Sequence, residues 1–224
     1  MNHPDLKRTL LTTFCAALAV FSGQARAAET LTPDLKAIPL GDGWKGATAQ
    51  TKRVEKDGAP AIEFNQRGAS VVWLDGYEFT DGVIEFDARG KSAPSGSSFI
   101  GDAFHVRDAK TYDAVYFRSF NFRADDAEKK SHAVQYVSEP EWPWQRLRTE
   151  KTGQYEKPIT PAPDGDAWFH VKIAVAKPKV SVFVNGATEP SLVVNELVER
   201  SGGSVGLWCN GFGQIGNLKI IPAR

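Results

Sequence analysis

Four dipeptides, Asp57-Gly58, Asp75-Gly76, Asp81-Gly82 and Asn185-Gly186, punctuate this chain between short apolar runs. Tight hairpin turns need positive φ at their central positions, which Asp, Asn and Gly tolerate best. A chain interrupted in this way lays down short antiparallel strands rather than long helices. The runs between the turns fit strands: Thr51–Val54, Ala61–Asn65, Ser70–Leu74, Val83–Ala88, Trp168–Ala174, Val180–Val184, Ser204–Cys209 and Gln214–Ile220. One helical turn is expected over Asn195–Arg200, where Ser201-Gly202-Gly203 would stop it. With the strands of Phe99–Val137 the total is about a dozen and no long helix, which predicts an all-β, antiparallel two-sheet β-sandwich of the jelly-roll kind. No internal repeat or second domain is visible.

The N-terminus reads MNHPDLKR, then TLLTTFCAALAVFSG, then QARA. A basic start, a short apolar run and the small-x-small site Ala25-Arg26-Ala27 predict a signal peptide over residues 1–27, too short to span a bilayer. Residues 28–224 would then form a single jelly-roll domain, periplasmic or secreted, with no membrane insertion. Lys plus Arg (27) balance Asp plus Glu (27), so no electrostatic footprint for nucleic acid or an anionic membrane exists. Cys15 falls within the signal, leaving Cys209 alone and no internal disulfide. Cys209 follows Trp208 in a strand-like run and reads as a buried, inert thiol.

Phe99–Val137 is the chemically richest stretch. Residues two apart on a strand share a face, which puts Ile100, Phe104 and Val106 on a core side and Ala103, His105 and Arg107 opposite. In the next strand Val115 and Phe117 oppose Tyr112, Ala114, Tyr116 and Arg118; in the third, Val134 and Tyr136 oppose Ala133 and Gln135. A face carrying His, Arg, Tyr and Gln with small Ala between them suits a polyhydroxyl ligand. After Val137 comes an insertion with five prolines and the aromatics Trp142, Trp144 and Tyr155. A loop that long in a compact domain is usually functional. Asn121 and Gln135 can both give and accept hydrogen bonds, as sugar hydroxyls require. Arg107, Arg118, Arg146 and Arg148 offer planar forks, and Trp142 and Trp144 offer faces for a sugar ring. Arg118 has no acidic neighbour two residues away on its strand.

The run AFHVRDAKTYDAVYFRSFNF, followed by HAVQYV, EWPWQRLR, GQYE, WFHVKIAV, VSVFVNG and GSVGLW, resembles a bacterial group of concanavalin A-like (laminin-G-like) jelly rolls. That group neighbours the 3-keto-disaccharide hydrolase domains of the lectin/glucanase superfamily. The resemblance spans about Trp44 to Ile220 and implies two facing sheets with glycans met on the concave side. It does not imply one activity, because the fold hosts lectins and hydrolases alike. Two readings follow: an exported protein that binds an oligo- or polysaccharide on its concave face, with or without hydrolysis of a glycosidic bond, or a non-catalytic laminin-G-like binding or structural module of the cell envelope.

Glu85 and Asp87 share one strand face. They match the first two positions of the Glu-x-Asp-x-x-Glu strand motif of laminarinase-type glucanases, but Gly90 stands where the second Glu belongs. Retaining hydrolysis needs two carboxyls about 5 Å apart, so this departure removes one of the pair. Among His105, His132 and His170, His105 is the candidate general acid/base by its position beside the Arg and Tyr rows. None has metal-ligand spacing. No cofactor is expected, and no loop has calcium-motif spacing, although a structural Ca²⁺ held in another arrangement stays open. The mature protein is expected to be a monomer beginning at Ala28 or Glu29. N-terminal sequencing of exported protein checks this, and an intact Met1 would contradict it.

Overall fold

The computed structural model describes Met1 and residues 29–223, so the expected signal peptide lies outside the described residues. The described chain forms β1 (Trp44–Gly46), β2 (Thr51–Lys56), β3 (Ala59–Leu74), β4 (Gly82–Arg89), β5 (Ser98–Asp108) and β6 (Thr111–Arg118). There follow α1 (Ala127–Ser131), β7 (Val134–Glu139), α2 (Trp144–Glu150), β8 (Glu156–Lys157), β9 (Phe169–Ala176), β10 (Lys179–Val184), β11 (Leu192–Asn195) and β12 (Ser204–Pro222). Every strand pairing is antiparallel. No helix among the described residues is long and apolar enough to cross a membrane.

Two layers arise because β3 and β12 pass through both. Gly206–Cys209 of β12 pair with Ser70–Trp73 of β3 and with β5, and the layer continues through β6, β7 and β8. After a register shift between Cys209 and Gly211, the rest of β12 pairs with Ala61–Gln66 of β3 and with β4, and that layer continues through β9, β10 and β11. The sequence suggests two strands in each of these stretches. Gly68 (φ 94°) and Gly211 (φ 86°), between the expected segments, bend one continuous strand from layer to layer. Bulged positive-φ glycines do this without reversing the chain. True reversals occur at Asp57-Gly58 (φ 51° and 79°) and Asn185-Gly186 (φ 52° and 71°), the paired positive φ of a primed turn.

Between the layers lies the main core. Ile100, Phe104, Val115, Phe117, Val134 and Tyr136 face Ile84, Phe86, Phe169, Val171, Ile173, Val180 and Val182. Phe117 and Phe169 meet edge to face across it at 5.3 Å. A second apolar cluster, including Val71, Ala103, Val106, Tyr112, Ala114, Tyr116 and Trp208, covers the outer face of the β5–β6–β7 layer and is closed at one side by Leu147 of α2. The proline-rich insertion is thus ordered as α2 and β8. The helical turn expected over Asn195–Arg200 does not form. Glu196 N–H donates to the Pro178 carbonyl, and Arg200 reaches Asp113 at 3.3 Å, which holds that segment extended.

Asp102 breaks the core's chemistry. It is fully buried, pairs in register with Val115 and Leu207, and neither carboxyl oxygen has a hydrogen-bond partner. Burial pushes its pKa well above the ordinary 3.8, so the fold holds it protonated while the unfolded chain releases the proton. Stability from this site is therefore fully present below about pH 3.8 and falls as pH rises. Asp102→Asn removes the ionisation, and its advantage over wild type in chemical denaturation should grow from nothing at pH 4 to about 1–3 kcal/mol at pH 8. An equal difference at both pH values would contradict a buried neutral acid.

Candidate functional site

Across the outer face of the β5–β6–β7 layer, strand register writes out rows of side chains. One row runs Asn210–Phe99–Arg118, the next Trp208–Gly101–Tyr116–Gln135. Gly101 carries no side chain between the two rings, and Trp208 and Tyr116 stack at 4.5 Å and 18°. A Cβ on Gly101 would lie 2.6 Å from the Tyr116 Cα and overlap the Val115 carbonyl oxygen. Trp208 Nε1 donates to the Tyr112 hydroxyl at 3.1 Å. These residues floor a hollow of about 680 Å³, walled by Phe120, Asn121, Lys129 and His132 at one side and Pro143, Trp144 and Arg148 at another. Its size falls in the usual range for small-ligand sites.

Under the floor Arg118 is only 5% exposed. Its Nη1 donates to the His132 carbonyl at 2.9 Å; its Nη2 donates to the Tyr116 hydroxyl at 3.1 Å and to Gln135 Oε1 at 3.0 Å. The partner absent from its own strand arrives from β8: Glu156 Oε2 lies 3.6 Å from Arg118 Nη1. Glu156, itself buried, also takes a fork from Arg148 (2.8 and 3.2 Å) and lies 2.8 Å from His132 Nδ1. The His132 contact is close but off the hydrogen-bond line. His132 Nδ1 is buried against Glu156, and the residue lines the hollow. Burial pushes the Tyr116 hydroxyl up to about 12, with Arg118 opposing, so it stays a protonated donor.

Of the residues expected in the site, Tyr116, Arg118, Asn121 and Trp144 line the hollow, and Gln135 braces Arg118 from beneath. The others stand elsewhere. His105 is not on this face. The strand bulges there: register slips after Phe104, His105 takes φ 51°, and Val106 falls on the hollow's side instead. His105 is fully buried, with Nδ1 3.1 Å from Asp113 and Nε2 2.9 Å from the Thr80 carbonyl. Asp113 also accepts from the Tyr136 hydroxyl at 2.8 Å. Arg107 reaches out to Glu78 and Ser201. Trp142 lies beside the hollow, sandwiched by Arg146 at 3.9 Å and Lys151 at 5.2 Å, while Arg146 pairs with Glu150.

Glu85 and Asp87 point off the opposite layer, because Ile84, Phe86 and Ala88 take the core positions of β4. Glu85 sits in register between Lys219 and Lys172. Burial raises the Asp87 carboxyl, but hydrogen bonds from Asn217 (2.6 Å) and His170 (2.9 Å) and the Lys56 charge outweigh it and hold the pKa below 3.8. At Gly90 a Cβ would fall 2.6 Å from both the Ser119 Cβ and the Ser98 hydroxyl, so the motif's second glutamate has no room. Among the described residues the one carboxylate lining the hollow is Glu139, which sequence reasoning passed over. Burial, then the neighbouring Glu141, raises its pKa. His132 was passed over too, since nothing local in KKSHAV marks it; its partner lies 24 residues on. Among the described residues no group of three or more His, Cys, Asp or Glu is placed to hold a metal ion.

Trp144 is 39% exposed over the hollow with Arg148 at 4.9 Å. Trp144→Ala should leave the melting temperature nearly unchanged and weaken glycan binding by about 1–3 kcal/mol. Trp142→Ala should do neither to binding nor to the groove. Calorimetric titration of both variants checks this, and equal losses of affinity would contradict the placement.

Solved structures share the fold at low identity. The carbohydrate-binding module CBM66 from Bacillus subtilis superposes with TM-score 0.54 at 16% identity, over 80% of this chain and 95% of its own. The Bacillus licheniformis beta-glucanase gives 0.55 at 11%, over 90% and 100%. A structure described as a putative glycosyl hydrolase from Parabacteroides distasonis gives 0.53 at 14%, over 82% and 89%. No curated protein matches the sequence. A family model for the 3-keto-alpha-glucoside-1,2-lyase-like domain matches residues 39–212, a span that takes in both layers and the hollow, and this chain belongs to that family.

Proposed function

We propose that this chain is an exported carbohydrate-active protein that seats a sugar on the Tyr116–Trp208 floor and cleaves its glycosidic bond by elimination, with His132 as the base. The observation that carries this reading is His132, which lines the hollow while its Nδ1 lies 2.8 Å from buried Glu156. An imidazole fixed on one side by a carboxylate is oriented to take or give a proton on the other. Only one carboxylate, Glu139, lines the hollow, so the paired acids of ordinary glycoside hydrolysis are not supplied there.

Elimination needs one base and a donor for developing negative charge. On a glucoside oxidised at carbon 3, the substrate in the family's name, the proton on carbon 2 is acidified by the adjacent ketone. His132 takes that proton and the electron pair passes into an enolate. The pair then returns to form the double bond between carbons 1 and 2, and the carbon 1–oxygen bond breaks. The departing alkoxide recovers a proton from the imidazolium. The Tyr116 hydroxyl, kept protonated by burial, and the charged Arg118 beneath it favour the enolate electrostatically.

His132→Ala should bind a 3-keto-α-glucoside within a few-fold of wild type and lose about 10²–10⁴ in turnover, followed by ultraviolet absorbance of the unsaturated ketone. Full activity in His132→Ala would overturn the assignment. Wild type that binds the sugar and never turns it over would make the groove a recognition site only.

A further inference from the structure

The hollow does not end at Asn210. Ser95, Gly96, Phe99 and Asn210 line it and also line a second hollow of about 650 Å³, so the two form one cleft. This second arm runs between the exposed middle of β3, Asn65–Arg67, and the loop before β5, with Lys91, Ser97 and Phe212 completing it. Its charge is one-sided. Arg67 and Lys91 line it and no acidic side chain does. Among the described residues Arg67, which is exposed, makes no ion pair or hydrogen bond, and Lys91 lies over the Phe212 ring at 4.2 Å with no carboxylate at ion-pair distance. Asp166, whose pKa is lowered first by hydrogen bonding from Ser92 (N–H at 3.2 Å) and then by the Arg89 and Lys91 charges, does not line the arm.

The polar groups there are unspent as well. Asn210 Oδ1 accepts from Gly68 N–H at 3.1 Å, which leaves its amide N–H₂ free at the junction of the two hollows. The Ser97 hydroxyl is buried and has no partner. A neutral sugar would leave two cations unmatched in such an arm, whereas an acidic one would meet both.

We infer that the cleft binds an oligosaccharide extending past Asn210 into this arm, and that the sugar residue seated there bears an anionic group. This rests on the reading of the Tyr116–Trp208 hollow as a sugar site and adds a second subsite and a substrate class. The shared chemistry is an oxyanion on a pyranose, supplied either by a carboxylate, as in a uronic acid, or by a sulfate ester.

The test titrates the full-length mature protein with oligosaccharides of one linkage in three forms: neutral, carboxylated and sulfated. At low salt at least one acidic form should bind about tenfold more tightly than the neutral one, and the gap should shrink at high salt. The form with the larger gap identifies the source of the anion. In the exposed-residue double variant Arg67→Gln/Lys91→Gln the gap should close while neutral binding and the melting temperature stay unchanged. A gap that survives in the double variant, or equal affinities in wild type, overturns the acidic subsite and leaves the sugar hollow standing. If wild type binds none of the three, the hollow and the subsite fall together.

Discussion

One buried carboxylate holds the functional face together. Glu156 lies within 3.6 Å of Arg118 on β6, within 2.8 Å of His132 before β7, and within 2.8 Å of Arg148 on α2. Three elements distant in sequence are therefore pinned to one two-residue strand. Removing a single partner from a buried ionic cluster leaves the others uncompensated and costs far more than an exposed ion pair is worth. The floor depends on it directly. Arg118 can lie against Tyr116 and Gln135 at 5% exposure because a negative charge is near.

Above that ionic base the centre of the floor is aromatic. Tyr116 and Trp208 can stack because Gly101 separates them in register, and the small Ala103 and Ala114 in the next row keep the basin open. The arrangement gives a flat apolar platform with protonated donors at its edge, which is what the alternating C–H and O–H faces of a sugar demand. Solved carbohydrate-binding and glucanase structures share the two-layer fold at 11–16% identity. Agreement that low carries the architecture and not the residues, so the chemistry rests on the side chains themselves.

Much of the architecture was legible in the sequence because it was written locally. Paired positive-φ turns at Asp57-Gly58 and Asn185-Gly186, and strict alternation in β4 and β9, each fix a face within a few residues. Tyr116 and Arg118 came out on the hollow because period-two spacing puts them on one face of β6, and Asn121 and Trp144, singled out for their side-chain chemistry, line it too. What failed was non-local. The bulge that turns His105 inward needs β12 to slip register beside it, as it does between Ser204 and Gly206. Period-two counting carries straight through such a slip and then assigns every later side chain to the wrong face. The Glu156 contacts join residues up to 38 positions apart, and no spacing rule reports them. The fused strands β3 and β12 were hidden because a glycine that bends a strand and one that reverses it look alike in sequence.

Those two fused strands also set the mechanics of the molecule. In a sandwich whose layers meet only through side chains, one sheet can shear across the other by repacking its interface. Here β3 and β12 run covalently through both layers and are hydrogen-bonded to each other on either side of the Cys209–Gly211 shift, so any sliding of one layer would have to break a backbone ladder. The basin is consequently a rigid casting. Whatever admits or releases a ligand must move on its rim, where α2 carries Trp144 on one bank and the Pro94–Ser97 loop forms the other.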